Sequence, residues 1–272
     1  MKRFLPLALL LLAGCGTPPA HGWLGYAEGD TLRIAAPQAG WITRLAVERG
    51  QAVRRGDLLF TLDTDAQSAS AELSAASEQT ARATLAQEES HLAYLRRELA
   101  RQERLAQGSA GVAAERDAAA HAVHQSEARI ATLRSQIAQA TAGRHSSAYA
   151  LAQRRVVALA DGPVDDIYFR AGEYVTPATP VLALLPPASI RVRFFVPEGE
   201  LARLHLGGRV RITCDGCKPV EAAISFIAHQ AEYTPPVIFS VGNREKLVFK
   251  AEARVASGLP LHPGQPVEVR PL

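Results

Sequence analysis

The longest regular pattern in the chain lies between Asp63 and Arg155, where apolar residues recur at seven-residue intervals. A glycine cluster at residues 108–111 divides the pattern into two series. The series contain Leu85, Leu92 and Leu99 with Leu95 between them, then Val123, Ile130 and Ile137 with Leu133 and Ala140 between them. This spacing is typical of helices that pack in a coiled coil. It predicts two long helices in an antiparallel hairpin that turns at the glycines.

The composition of residues 63–155 supports the same prediction. Ala, Leu, Gln, Glu and Arg predominate there, and these residues lose little free energy on entering a helix. Each half holds about 40 residues and would extend roughly 60 Å. A helix pair this long and narrow has no room for an enclosed active site. We therefore expect that the protein is not an enzyme and that the hairpin spans a distance.

Short apolar runs separated by glycines flank the helical segment, a pattern typical of short β-strands. The run before the hairpin recurs after it with a constant offset of 122 residues. The matched pairs are Gly40 with Gly162, Ile42 with Val164, Leu45 with Ile167, Gly50 with Gly172, Val53 with Val175, Leu59 with Val181 and Leu62 with Leu184. Neither half could bury its apolar face alone, so we predict one β-module that is split by the hairpin.

Composition and charge exclude other classes of function. The chain has 272 residues, a formal net charge of +3 and 21% charged residues. Basic and acidic residues alternate along the chain, so we expect no nucleic-acid partner. The eight histidines are scattered, and those in the helical segment set up no catalytic pair. We expect no cofactor and no metal site.

The N-terminus has the pattern of a targeting segment. Lys2 and Arg3 precede an apolar run at residues 4–12, which is too short to span a bilayer and fits the core of a signal peptide. The run ends in Leu-Ala-Gly-Cys, which resembles the bacterial lipoprotein cleavage box and identifies Cys15 as the lipidated residue. The alternative is an ordinary signal peptide with a chance cysteine. We expect a membrane-anchored lipoprotein in the periplasm, with the inner membrane favoured.

The split β-module resembles the biotinyl- and lipoyl-carrier fold, in which two halves meet at a turn that bears a modified lysine. This chain has no lysine between Arg3 and Cys217, so carrier chemistry is excluded and the hairpin occupies the place of the turn. A split lipoyl module with an inserted hairpin resembles the HlyD-type periplasmic adaptors, or membrane fusion proteins. The resemblance implies an α+β fold: a long antiparallel coiled-coil hairpin in a split lipoyl-like module, followed by a small β-barrel.

The remaining sequence agrees with such a barrel. Residues 190–196, 220–228, 247–255 and 267–270 have the pattern of strands. Residues 261–269 resemble the closing segment of the adaptor barrel, and residues 230–238 resemble a segment of the branch associated with ABC exporters. The expected boundaries are 1–15 for the lipoprotein signal peptide, 16–34 for a tether and N-terminal strand, 35–62 and 156–188 for the two lipoyl-like halves, 63–155 for the hairpin and 189–272 for the barrel.

The resemblance also implies which residues at the hairpin tip dock onto a partner. Adaptors that meet a TolC-like duct present an arginine, a leucine four residues later and a serine seven residues further on, with acidic residues beyond. The corresponding positions are Arg101, Leu105, Val112, Glu115 and Asp117, so the serine does not match. An apolar side chain can fill a groove, and a guanidinium can pair with a partner helix. The alternative is that Arg101 is a solvated charge and Leu105 closes the last core layer.

Cys214 and Cys217 form a Cys-x-x-Cys pair. In an oxidising periplasm such a pair can form a disulfide across a turn, and this is the expected state. A reduced pair without a role is the first alternative. A redox site would need a βαβ context and a zinc site would need two more ligands, and the surrounding sequence supplies neither.

The function implied by the resemblance is that of an adaptor subunit in a multicomponent efflux or secretion system. Its partners would be an inner-membrane transporter, with the ABC type favoured, an outer-membrane TolC-like duct, and further copies of itself in a ring. The lipid anchor would hold it on the membrane. The alternatives are the adaptor of an RND-type or metal-efflux pump and an envelope coiled-coil scaffold without a transport function.

Overall fold

Two compact units make up the part of the chain that the structure describes. The computed structural model describes residues 22–106, 113–233, 247–255 and 260–272. One unit is Leu32–Leu184, and the other combines the described residues before Leu32 with those after Leu184. The predicted signal peptide and Cys15 lie outside the described residues.

The order of elements follows the predicted plan. Before the hairpin lie β1 (Trp23–Gly29), β2 (Leu32–Ala35), β3 (Gly40–Leu45), β4 (Ala52–Val53) and β5 (Leu58–Leu62). The hairpin helices are α1 (Asp65–Ala106) and α2 (Ala113–Ala152). After them lie β6 (Arg155–Val157), β7 (Gly162–Ile167), β8 (Tyr174–Val175), β9 (Pro180–Leu184), β10 (Ile190–Pro197), β11 (Arg209–Thr213), β12 (Val220–Tyr233), β13 (Leu247–Arg254) and β14 (Pro266–Pro271). Short 3₁₀ helices occur at Pro187–Ser189 and Glu198–Arg203.

The β-module consists of two intertwined halves. Strands β3, β4 and β5 correspond to β7, β8 and β9 with an offset of 122 residues at every bound. One sheet has the strand order β2-β9-β7-β4 and the other has the order β6-β5-β3-β8. Each sheet therefore contains strands from both sides of the hairpin. The equivalent pairs Gly40↔Val175 and Gly162↔Val53 show that a pseudo-two-fold axis relates the halves.

The core of the β-module draws equally on both halves. Ile42, Leu59 and Leu62 are at most 1% exposed, and so are their equivalents Val164, Val181 and Leu184. Burying one such side chain contributes roughly 1.5–3 kcal/mol. Because each half supplies only part of this buried surface, the module is stable only when the two halves associate.

The hairpin is joined to the β-module through an ion pair between a buried arginine and a partly exposed aspartate. The Arg154 side chain is 6% exposed, and its Nη1 lies 3.4 Å from Oδ1 of Asp63. The same carboxylate oxygen accepts a 2.7 Å hydrogen bond from the backbone N of Trp41. Gly40 lies directly beneath this pair, since a Cβ built on it would come 2.4 Å from the Arg154 guanidinium. Asp63 precedes α1 and Arg154 follows α2, so the pair fixes both ends of the hairpin on β3.

The helices pack along the two predicted apolar series. Leu92, Val123 and Ile130 are buried at the centre of the seam. The side chains packed against them are Leu85, Leu95 and Leu99. Residues near the start of α1 contact residues near the end of α2, as in the Ser74–Ser147 hydroxyl contact of 2.8 Å, so the pair is antiparallel. No helix in the described ranges combines the length and the apolar character needed to cross a bilayer.

The second unit is a closed barrel with the strand order β1-β10-β13-β12-β11-β14. The Trp23 and Phe194 rings stack inside it with centroids 5.6 Å apart. The indole N–H of Trp23 donates a 2.8 Å hydrogen bond to Glu200 on the second 3₁₀ helix. Strand β1 belongs to this barrel while β2 belongs to the β-module, so the described part of the predicted 16–34 segment, residues 22–34, contributes to both units.

The repeat identifies one strained backbone position. Ala178 has a φ of +65°, and its equivalent in the first half is Gly56, with a φ of +95°. The two residues make equivalent hydrogen bonds, from Gly56 N to the Ala158 carbonyl and from Ala178 N to the Ala36 carbonyl. A Cβ in this conformation costs roughly 1–2 kcal/mol, and glycine avoids that cost.

Replacing Ala178 by glycine is therefore expected to stabilise the protein. The relief of strain exceeds the added chain entropy, so the expected gain is roughly 0.5–1 kcal/mol, or a rise of about 1–4 °C in melting temperature. Thermal unfolding followed by circular dichroism measures this shift. The matched control is Gly56→Ala, which introduces the same strain in the other half and is expected to lower the melting temperature. A lower melting temperature for Ala178→Gly would contradict the assignment.

Candidate functional site in the helical hairpin

The two helix ends at the hairpin turn carry charges that suit their positions. Arg104 lies in the last turn of α1, and its Nε donates a 3.2 Å hydrogen bond to the carbonyl of Ala100. Glu115 lies in the first turn of α2. A cation at a helix C-terminus and an anion at an N-terminus both interact favourably with the helix dipole. The sequence therefore stabilises both helix ends at the tip.

Arg101 is held in a defined orientation at the surface. Its Nη2 lies 2.6 Å from Oε1 of Glu98, and its side chain remains 62% exposed. Gln102 donates a second hydrogen bond to the same oxygen. The hydrogen bond from Arg101 lowers the pKa of Glu98, and the carboxylate in turn raises the pKa of Arg101. A guanidinium has five N–H donors, so the exposed group can still bind a partner.

Leu105 is an exposed apolar residue near the end of α1. Its side chain is 55% exposed, which does not agree with the interpretation that it closes the last core layer. A leucine that is open to solvent one turn from Arg101 offers apolar surface beside a cation. Such a pair is suited to a groove with an acidic or carbonyl-lined rim.

The acidic residues predicted at the tip lie at the start of α2. Glu115 and Asp117 are both exposed, and Asp117 accepts a 2.7 Å hydrogen bond from its neighbour Arg116. Val112 lies outside the described residues. The hairpin thus brings Arg101, Leu105, Glu115 and Asp117 to one end.

Polar layers that the sequence analysis missed lie inside the helix pair. Glu78 is 5% exposed. Its carboxylate lies 2.5 Å from Arg82 on its own helix, 2.5 Å from Arg144 across the seam, and 3.0 Å from the hydroxyl of Thr141. The hydrogen bond from Arg82 is the main cause of the lowered pKa of Glu78, so the carboxylate stays ionised.

A second polar layer lies closer to the tip. The hydroxyl of Ser126, which is 4% exposed, donates a 2.6 Å hydrogen bond to Glu88. Arg129 also approaches Glu88, at 3.5 Å. The two layers flank the apolar contact of Leu85, so polar and apolar contacts alternate along the seam.

The sequence did contain a signal for these layers. Seven residues before Leu85 is Glu78, seven before Leu133 is Ser126, and seven after Ile137 is Arg144. The seven-residue spacing therefore continues through positions where the side chain is polar. A shift of one helix along the other would leave the Glu78 carboxylate buried without its partners, which is costly, so these layers specify the register.

The cysteine pair lies in the barrel and not in the hairpin. The structure joins Cys214 and Cys217 in a disulfide, and the side-chain amide of Gln265 lies 3.3 Å from the sulfur of Cys214. Sulfurs in a disulfide do not serve as zinc thiolates. Among the described residues, no group of three or more His, Cys, Asp or Glu side chains is placed to hold a metal ion.

A long helical hairpin in a split β-module, together with a small barrel, defines the membrane fusion protein fold, and solved structures share it. MacA from Actinobacillus actinomycetemcomitans aligns with a TM-score of 0.72 at 20% identity, over 91% of this chain and 76% of MacA. The membrane fusion protein Spr0693 from Streptococcus pneumoniae R6 aligns with a TM-score of 0.55 at 15% identity, over 92% of this chain and 97% of Spr0693. The predicted fold class is confirmed.

Sequence comparisons match a smaller part of the chain than the solved structures do. No family model matches the chain. The UPF0194 membrane protein in the asrC 5′ region of Acidithiobacillus ferridurans is 32% identical over 145 residues, which are 52% of this chain and 42% of the relative. The chain spans about two fifths of the length of the curated relatives it matches.

The buried Glu78 layer is expected to make the stability of the hairpin depend on pH. A carboxyl whose folded-state pKa is lowered stabilises the fold above its ordinary pKa of about 4.3, and this contribution is lost as the pH falls through the lowered value. Glu78→Gln removes it, so we expect a melting temperature roughly 2–4 °C lower at pH 7. The difference from the parent should shrink below about pH 4.

The matched control for this prediction is Glu72→Gln. Glu72 is exposed on the same helix and forms no ion pair with the described residues. Melting curves from pH 3 to pH 8, followed by helix ellipticity, should separate the two variants. Equal melting temperatures for Glu78→Gln and the parent at pH 7 would contradict a stabilising role of this layer.

Proposed function

We propose that the protein is a periplasmic adaptor that couples an inner-membrane transporter to an outer-membrane duct and performs no chemistry itself. The observation that carries this proposal is the combination of a roughly 60 Å hairpin with an exposed Arg101–Leu105 surface at its tip. Such a structure can transmit a binding event over a distance. A free coiled-coil scaffold would not need a β-module fixed to both ends of the hairpin.

The coupling depends on stiffness at three levels. The Asp63–Arg154 pair joins the hairpin to the module, the Glu78 layer fixes the helix register, and Glu98 orients Arg101. Because each contact restricts one degree of freedom, the described end of α1 presents Arg101 in a defined orientation. Binding of a partner then costs this chain less conformational entropy than it would if the Arg101 side chain were free to move.

The transporter in this proposal is of the ABC type. Its support is the resemblance of residues 230–238 to a segment of the ABC-associated adaptors, and residues 234–238 of that segment lie outside the described ranges. The outer-membrane partner is a TolC-like duct, supported by the arginine and leucine at the tip. An RND-type or metal-efflux pump is the alternative for the inner-membrane partner.

The membrane anchor in this proposal is the lipidated Cys15. One acyl chain gives only marginal attachment, and two or more chains hold a protein almost permanently. Cys15→Ala is therefore expected to prevent incorporation of labelled palmitate and to release most of the protein from washed membranes. Cys214→Ala with Cys217→Ala is the matched control and should keep the label. Equal labelling of Cys15→Ala and the parent would contradict the anchor.

Changes at the tip are expected to stop export without unfolding the protein. Arg101→Asp reverses the charge that meets the duct, and Leu105→Asp places a charge in the apolar contact. Each change should reduce export at least tenfold, which corresponds to a loss of about 1.4 kcal/mol or more in docking. Export by cells that lack the chromosomal copy measures this effect.

Leu73→Asp is the matched control for the tip variants. Leu73 is 74% exposed on α1 but lies at the opposite end of the helix. It should leave export unchanged, and all three variants should keep the melting temperature of the parent. Normal export by both Arg101→Asp and Leu105→Asp would contradict docking at the tip.

A further inference from the structure

The disulfide of the barrel closes a turn that other bonds already hold. Cys214 follows β11, and Cys217 lies three residues later, before β12 begins. The backbone N of Cys217 donates a 3.3 Å hydrogen bond to the carbonyl of Cys214. On either side of the turn, Ile212 pairs with Val220 in the barrel sheet. The link between the sulfurs therefore joins two strands that the turn and the sheet already connect.

A link of this kind adds little to the stability of the barrel. The chain entropy that a disulfide removes from the unfolded state grows with the length of the loop it closes. The two cysteines are separated by only three positions, so this entropy is small. A disulfide that held the barrel together would join strands distant in the sequence. We therefore expect the barrel to keep its fold when the bond is opened.

The turn is open to solvent. Asp215, Gly216 and Lys218 are exposed, and both cysteines are only partly buried. Exchange between thiols and disulfides requires a thiolate to reach one of the two sulfurs. Fully buried cysteines are inert for this reason, whereas cysteines in an exposed turn are accessible.

The amide of Gln265 points a hydrogen-bond donor at one sulfur. Its Oε1 accepts a 3.1 Å hydrogen bond from the backbone N of His262, and its Nε2 lies 3.3 Å from Sγ of Cys214. The Gln265 carbonyl accepts a 2.9 Å hydrogen bond from Ala27 N, which holds the residue beside β1. A neutral sulfur is a weak acceptor, but a thiolate is an anion and binds an N–H donor much more strongly. Gln265 is thus placed to stabilise a charge that exists on Cys214 only after the disulfide opens.

We propose that the Cys214–Cys217 disulfide is a site of reversible thiol–disulfide exchange with a dithiol protein. A thiolate of that protein attacks Sγ of Cys217, the bond between the two sulfurs breaks, and Cys214 leaves as a thiolate beside Gln265. The second thiol of the dithiol protein then attacks the mixed disulfide and releases Cys217. Two electrons pass to this chain, its two cysteines take up two protons, and the dithiol protein becomes a disulfide.

In this exchange the chain is the substrate and not the catalyst. The βαβ context of a catalytic redox site is therefore not required. The inference is independent of the adaptor function, because its measurement counts free thiols and not exported material. The tip variants test the adaptor function separately.

Reduction of the folded protein is the first test. Full-length protein purified in detergent is incubated with reduced thioredoxin as the dithiol probe and quenched with acid. A maleimide that adds mass to each free thiol then counts the thiols on a gel. Both cysteines should become labelled while the melting temperature stays close to that of the oxidised protein, and Cys214→Ser with Cys217→Ser gives the background. Labelling that needs a denaturant would overturn the proposal.

Gln265→Glu tests the role of the amide donor. The variant keeps an acceptor for His262 N and replaces the donor at Cys214 with a carboxylate oxygen, so reduction should slow at least tenfold. Gln51→Glu is the matched control, because Gln51 Oε1 accepts a 2.9 Å hydrogen bond from Glu48 N in a turn of the same pattern in the β-module. It should keep the parent rate. Equal rates for Gln265→Glu and the parent would contradict the mechanism.

The order of the two steps can be read from the mixed disulfide. A thioredoxin variant without its second thiol should remain attached to Cys217, and iodoacetamide added at once should label Cys214. Fragmentation of the isolated peptide by mass spectrometry distinguishes the two sulfurs. Attachment at Cys214 would exclude the proposed direction of attack.

Discussion

The exchange of strands between the two halves of the β-module is the constraint on which the rest of the structure depends. Strand β9 pairs with β2, and strand β5 pairs with β6, so each sheet closes only when residues on both sides of the hairpin are in place. The buried side chains follow the same rule, with Leu59 and Val181 as equivalent members of one core. Unfolding of the β-module would therefore also release the ends of the two helices that are fixed to it. The orientation of the hairpin is therefore a property of the sheet and not of a flexible joint.

The position of Arg101 near the end of α1 is fixed through successive polar contacts. The Asp63–Arg154 pair restrains the helix ends, the Glu78 layer restrains their relative translation, and Glu98 restrains the guanidinium of Arg101. The two buried charges among these, Glu78 and Arg154, contribute specificity more than stability, because desolvation offsets much of their attraction. An apolar seam alone would hold the helices together and would tolerate a shift by one heptad. In this chain Leu92 and Ile130 hold the two helices together, and the polar layers fix the register of one helix against the other.

The sequence predicted the helix pair and the split module because both leave periodic patterns. Leu85, Leu92 and Leu99 mark one seam, and the constant offset of 122 residues marks the module. Other features depend on partners that are distant in sequence. Strand β1 pairs with β10 and β14, and no local sequence pattern around Trp23 predicts these pairing partners. Glu78 was overlooked because an acidic residue at a seam position resembles a surface charge until its partners across the seam are known. The exposure of Leu105 likewise depends on where the facing helix α2 begins.

One consequence concerns how the molecule folds. The closure of a chain segment costs entropy that grows with its length, and the two module halves are separated by about 90 residues. The coiled coil removes most of this separation, since Ser74 meets Ser147 near its base and Thr61 faces Arg155 in the sheet beyond. Helix pairing uses contacts that are nearer in sequence the closer they lie to the turn, so it can advance like a zipper. Pairing of the helices thereby brings the two halves of the β-module together. The hairpin thus also promotes the folding of the module to which it is attached.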